Sequence, residues 1–189
     1  MTAACINTNT EAHPDAERSP TSLAFQRAWE AIEKTGPIPD KAQFRAERFA
    51  AFLPIIYLLE LNAETENRLI FRLVGERVRN GLGLNLTGKN YIDYVPGEHR
   101  PLSGASLFSL FETPPRGRWV QKTLVHRNGV RQAIALTQFP MISNKDGQHF
   151  VIGIAEGFGN DLQHDPDGRF HFENSGWDHF IDIDAGLPA

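Results

Sequence analysis

Leu53, Ile55, Ile56, Tyr57, Leu58, Leu59 and Leu61 form an almost unbroken apolar run, interrupted by Pro54 and Glu60. A dense run this short predicts a strand over 55–61 with both faces covered, and hence a central place in a sheet. A charged connection, 62–68, leads to a second strand at 69–74. The pattern then changes period: Val78 and Leu82 stand at i and i+4 over 76–84, which predicts a short helix. Between Tyr91 and Phe111 the chain reads as short helices punctuated by Pro96, Gly97, Pro101 and Gly104. Upstream, Ser19 caps a helix with Pro20 in its first turn and Leu23, Ala24, Trp29 and Ile32 as its apolar positions, ended by Gly36-Pro37. Asp40 caps a second helix carrying Phe44, Phe49 and Phe52, closed by Pro54.

Downstream, two long apolar-polar segments, 118–127 and 130–141, flank Asn128-Gly129. That dipeptide predicts a two-residue type I′ hairpin, since both central residues of the turn need positive φ. Folding about it places Trp119, Val125, Val130, Ile134 and Leu136 on one face. Val120, Leu124, Ala133 and Ala135 fall on the other. Asp146-Gly147 makes a further turn into a last strand, 149–156, with Phe150, Ile152 and Ile154 facing one way. The order is two helices, two strands, several short helices and three antiparallel strands, an α+β layout. The expected division is a flexible leader, 1–19, N-terminal helices, 20–53, a domain over 54–156, and a tail, 157–189.

Composition agrees with a folded domain: 41% of the 189 residues are hydrophobic and 22% charged. No apolar stretch approaches the ~20 residues of a membrane span. The N-terminus lacks the pattern of a signal peptide, so a cytoplasmic location is expected. Cys5 is the single cysteine, which excludes an internal disulfide. The first twenty residues net −2 and residues 157–189 net −6; with −4 overall, the body is +4. A mildly basic body beside an acidic tail lacks the clustered basic face of a nucleic-acid binder. It is compatible with the tail folding back. The tail's Phe170, Phe172, Trp177 and Phe180 are too apolar for a solvated linker. They are expected to dock on the chain's own sheet or, alternatively, on a partner or a second copy.

No complete catalytic or metal motif is present. Gly81-Leu82-Gly83-Leu84-Asn85-Leu86 ends in Leu where a dinucleotide loop needs Gly, and it follows a helix. Gly83 to Asn90 has the spacing of a phosphate loop, but Asn90 stands where magnesium needs Ser or Thr. Gly104-Ala105-Ser106-Leu107-Phe108 fails the nucleophile elbow at its last position. Asp165-Pro166-Asp167-Gly168 echoes a calcium loop, with Asn174 where the bidentate Glu belongs. His164, His171 and His179 are too loosely spaced to favour a metal. Neither catalytic residues nor metal ligands are expected, and the sequence does not identify a cofactor.

Three motifs carry a resemblance: Leu53-Pro54-x-Ile56, Phe71-Arg72-Leu73-Val74-Gly75, and Leu84-Asn85-Leu86-Thr87-Gly88-Lys89-Asn90. With their order, they are similar to a divergent PAS-domain family found mainly in alphaproteobacteria, over about residues 36 to 156. The resemblance implies a five-stranded antiparallel sheet with helices across one face, preceded here by a helical extension. It implies a stand-alone sensory or regulatory module without catalysis of its own, binding a small ligand or a protein partner, a homodimer included. Neither nucleic acid nor membrane is expected as a partner. The flavin-binding subset of PAS domains needs a reactive cysteine in the body, which Cys5 is not. The expected cavity wall is Tyr57, Phe71, Leu73, Ile134, Leu136 and Ile152, under Val78, Leu82 and Tyr91. Two other readings remain open: a structural interaction domain with a filled core, and a small α+β enzyme.

Overall fold

Apolar positions of both parities along the central strands require a cover on each face of the sheet, and the chain provides two. The structure is a computed structural model that describes residues 17–62, 64, 68–126, 129–158 and 170–187, with side chains for all of these but 174–177. Residues 1–16 of the expected leader, Cys5 among them, lie outside the described residues, as do Asn128, His164 and Asp165–Gly168. Among the described residues, one antiparallel sheet runs in the order β2–β1–β5–β4–β3–β6. Its strands are β1 (Ile56–Leu61), β2 (Leu69–Val74), β3 (Gly117–His126), β4 (Arg131–Ile142), β5 (His149–Glu156) and β6 (Phe170–Ile181). The sheet thus holds six strands rather than five, the last drawn from the tail.

Helix α1 (Pro20–Glu30) starts as the sequence predicts: Ser19 Oγ accepts the Ser22 N–H at 2.9 Å, and Pro20 occupies the first turn. Its buried face is Ser22, Phe25 and Trp29, whereas Leu23 is 41% exposed. The segment after Asp40 is not an α-helix but two 3₁₀ turns, Lys41–Gln43 and Ala46–Phe52. Phe49 and Phe52 set their rings edge-on to Phe25 at 5.8 and 5.3 Å. Together these N-terminal elements cover one face of the sheet. Trp29 stacks on Phe139 at 4.9 Å and donates its indole N–H to the Pro140 carbonyl at 3.1 Å. Ser22 and Thr137, both fully buried, share a hydroxyl hydrogen bond of 2.6 Å.

The opposite face is covered by α2 (Glu76–Leu82), a 3₁₀ turn at Tyr91–Tyr94, and α3 (Arg100–Phe108). The core there gathers Leu59, Leu69, Phe71, Val78, Leu107, Leu124 and Ile134. On β5, Val151 and Ala155 face this second core, and Phe150, Ile152 and Ile154 face α1.

The hairpin closes one residue earlier than a two-residue turn would allow. The His126 N–H bonds to the Val130 carbonyl at 2.9 Å, Val125 pairs with Arg131, and Gly129 takes φ 83°. One step of register moves every side chain of one strand to the other face. Ile134 and Leu136 therefore share a face with Val120, Lys122 and Leu124, their neighbours across the ladder, and not with Trp119. β2 carries a similar irregularity: Leu58 pairs with Leu73 but Leu59 with Phe71, leaving Arg72 extra. The bulge changes which parity faces inward. Leu69, Phe71 and Val74 are buried, and Leu73 is turned out to 36% exposure.

Gly75, between β2 and α2, has φ −64°, a value open to any residue. What requires glycine is space: a Cβ would overlap the carbonyl oxygens of Leu53 and Pro54 and lie 2.6 Å from the Pro54 carbonyl carbon. Gly75→Ala is expected to lower stability by about 1–3 kcal/mol, the usual cost of overpacking. Gly36, with open space around its Cβ position, is the control: Gly36→Ala should stay within about 1 kcal/mol of the parent. Urea midpoints of the two variants measure the difference, and equal midpoints would refute the steric account.

Candidate functional site

Between the sheet and the cover of α2, α3 and the Tyr91–Tyr94 turn lies a cavity of about 40 Å³. Of the nine residues named for its wall, Tyr57, Phe71, Val78, Leu82, Tyr91, Ile134 and Leu136 line it. Two expected wall residues do not. Leu73 is turned out by the β2 bulge, and Ile152 points through the sheet into the core under α1. Their strands are apolar on both sides, so alternation names two sets of residues without saying which set faces the cavity. Leu59, Leu86, Leu107, Ala155, Phe158 and Phe172 complete the apolar wall.

The wall's polar groups, Arg118, Lys122 and Gln138, were not expected from the sequence. The missed signal is the hairpin register. With His126 opposite Val130, Arg118, Val120, Lys122 and Leu124 fall on one face, and two of these four inward positions are cationic.

Tyr57 reaches Gln138 because of a glycine. Tyr57 on β1 pairs with Gly153 on β5, which pairs with Gln138 on β4. A Cβ on Gly153 would lie 2.5 Å from Tyr57 Cζ. Without one, the phenol lies across β5, and Gln138 Nε2 donates to its oxygen at 2.8 Å. Burial pushes the Tyr57 hydroxyl far above the usual phenol range, the Gln138 bond pulling the other way, so the group stays neutral. Gln138 Oε1 is buried with no hydrogen-bond partner among the described residues. Two other glycines also seat rings. Gly81 on α2 carries Phe158, and a Cβ on Gly117 would lie 2.5 Å from Phe139 Cε1.

The other polar groups are engaged. Lys122 Nζ donates to the Tyr91 hydroxyl at 3.1 Å. Arg118 binds Asp178 of β6 through two hydrogen bonds, Nε to Oδ1 at 2.7 Å and Nη2 to Oδ2 at 2.6 Å, and reaches Ser106 Oγ on α3 at 3.0 Å.

Strand β6 therefore forms part of the cavity's structure. Phe172 lines the cavity, and Phe170 stacks on Tyr94 at 4.9 Å. Of the expected docking residues, these two bury against the chain's own core. Phe180 is 44% exposed, with the Arg116 guanidinium 4.2 Å over its ring. The side chain of Trp177 lies outside the described residues. The tail's acids meet the body's bases: Asp178 on Arg118, and Glu173 on Arg131 at 2.6 Å. Among the described residues, no group of three or more His, Cys, Asp or Glu could hold a metal ion, and no helix is long and apolar enough to cross a membrane. His171 bonds to Glu173 at 3.2 Å, and His179 packs against Trp119 at 5.7 Å.

A family profile described as PAS domain matches residues 17–155. The chain belongs to the PAS domain family. The match takes in α1 and ends before β6, so the sixth strand is an addition beyond the matched PAS region. Solved structures similar to this PAS domain include the PAS domain of an HTR-like protein from Haloarcula marismortui, with TM-score 0.40 and 14% identity over 59% of this chain and 89% of that one. The VqmA dimer of Vibrio cholerae matches with TM-score 0.40 and 16% identity over 62% and 54% of the two chains. A fungal LOV domain photoreceptor matches with TM-score 0.38 and 14% identity over 72% and 90%. No curated protein sequence matches the chain.

If the Arg118–Asp178 pair holds β6 on this PAS domain, Asp178→Asn should cost about 1.5–3 kcal/mol, the range for a hydrogen bond to a charged group. Amide exchange over 170–181 should accelerate more than exchange in β5. Glu173→Gln, which removes a pair with 57% and 36% exposed side chains, should cost below about 1 kcal/mol. Similar losses for the two variants would show that Arg118 is not the anchor.

Proposed function

We propose that this PAS domain is a sensory or regulatory module that takes a small molecule into the cavity between the sheet and α2, and reports occupancy through β6. The observation that carries the reading is the joint construction of cavity and strand. Arg118 and Phe172 belong to both, so a ligand that shifts the wall also shifts the contacts that hold β6 to β3. A ligand acts in this way only through a difference in its affinity for the docked and loosened states of the strand. The output passes to a protein partner or a second copy of the chain; the exposed Phe180 at the β6 edge is a surface such a partner would meet. No catalytic group is assigned to the domain.

The size of the cavity favours a second reading. About 40 Å³ is room for about three waters at ~10–15 Å³ each, which also suits an interaction domain whose core is nearly filled. Native mass spectrometry of the protein purified from its own host separates the two. Sensing predicts a non-covalent adduct on the parent that is lost from Ala155→Val, a change that adds two methyl groups to the cavity wall. The interaction reading predicts no adduct on either, and a variant at least as stable as the parent because a void has been filled.

A further inference from the structure

We propose that the cavity selects an uncharged small molecule whose polar head both donates and accepts a hydrogen bond, such as an alcohol or a primary amide. The head would sit against Tyr57 and Gln138, and a short apolar body against Val78, Leu82, Ile134 and Leu136. This rests on the reading that the cavity takes a ligand, and adds the chemistry of that ligand.

Tyr57 and Gln138 are 5% and 3% exposed, and the bond between them at 2.8 Å is the one hydrogen bond either side chain makes among the described residues. With the amide as placed, Gln138 Oε1 lacks a donor, and the Tyr57 O–H, which accepts from Nε2, has its own hydrogen unspent. Rotating the amide by half a turn, which exchanges its two ends, makes Tyr57 donate to Oε1 and leaves the NH₂ group and a phenol lone pair unmet. In both arrangements at least one donor and one acceptor remain side by side. An alcohol or amide satisfies both at once. An ionised carboxylate offers acceptors only and leaves a buried acceptor facing it.

The cations of the wall do not reverse this preference. Arg118 has its fork on Asp178 and a further bond to Ser106, and Lys122 is bonded to Tyr91. An anion would have to displace these contacts. The neutral head needs no displacement, and it meets the polar pair where Gly153 gives Tyr57 room to lie. A cavity of about 40 Å³ has room for about three water-sized sites at ~10–15 Å³ each, which suits a molecule of only a few heavy atoms.

The test uses three probes of one chain length, propan-1-ol, propionamide and sodium propionate at matched ionic strength, titrated into the full chain and followed by backbone amide shifts of residues 57, 138 and 153. Xenon under pressure serves as a probe without a head. The alcohol and the amide are expected to bind saturably, at least tenfold tighter than propionate. Tyr57→Phe should weaken the alcohol about tenfold, the usual scale for one buried hydrogen bond, while leaving the xenon response in place. The comparison on the parent protein stands even if Tyr57→Phe folds poorly. Propionate binding as tightly as the alcohol would overturn the proposal. If xenon enters and the head groups make no difference, the head-group assignment fails and the cavity reading survives. If neither xenon nor the alcohol perturbs these amides, because water alone or nothing occupies the site, both fail together.

Discussion

A sheet with apolar side chains on both faces is stable only if both faces are covered, and this constraint organises the molecule. α1 and the 3₁₀ turn at Ala46–Phe52 close one side around Phe25, Trp29 and Phe139. α2, α3 and the Tyr91–Tyr94 turn close the other. The two covers differ in character. The first is densely aromatic, with rings of α1, the 3₁₀ turn and β4 in mutual contact. The second is assembled from short pieces that leave a void, into which Tyr57, Gln138 and Lys122 direct polar atoms. A densely aromatic side thus backs one that encloses a cavity.

β6 links these two sides. Phe170 and Phe172 enter the cavity-side core, and Ile181 and Ile183 enter the core under α1. Opposite Gln121 and Lys122 its register steps by two residues, which preserves the alternation, so both ends of the strand keep the correct faces. The strand covers what would otherwise be the open edge of β3 and becomes the edge itself. Its acids also give physical meaning to the uneven charge of the chain, since Asp178 and Glu173 lie against arginines of the basic body.

Much of this was legible in the sequence, and the failures share a cause. The cap and first turn of α1 and the positions of the first five strands follow from local pattern, because Ser19-Pro20 and the apolar runs act within a few residues; seven of the nine residues named for a cavity wall line the cavity. What did not follow were facing relations. Ile152 and Leu73 went to the wrong side because a doubly covered strand is apolar at both parities, and a bulge at Arg72 is silent in composition. Lys122 was missed because Asn128-Gly129 suggests a two-residue turn while the ladder closes around a longer one. The glycine at 75 was legible as a junction, but its reason, the carbonyls of Leu53 and Pro54, belongs to tertiary contact. The sixth strand lay in a segment whose aromatics signalled docking without giving its form.

Three rings in this domain rest directly on glycine: Tyr57 on Gly153, Phe158 on Gly81 and Phe139 on Gly117. In each case the glycine and the ring come from different elements, so neither position is free to vary alone. A relative that carries alanine at 153 has to shorten or reorient the side chain at 57, and with it lose the contact to the residue at 138. The pairs should therefore change together along lineages. Members that keep glycine and tyrosine at 153 and 57 keep the phenol lying across β5, and members that replace both reshape that wall of the cavity.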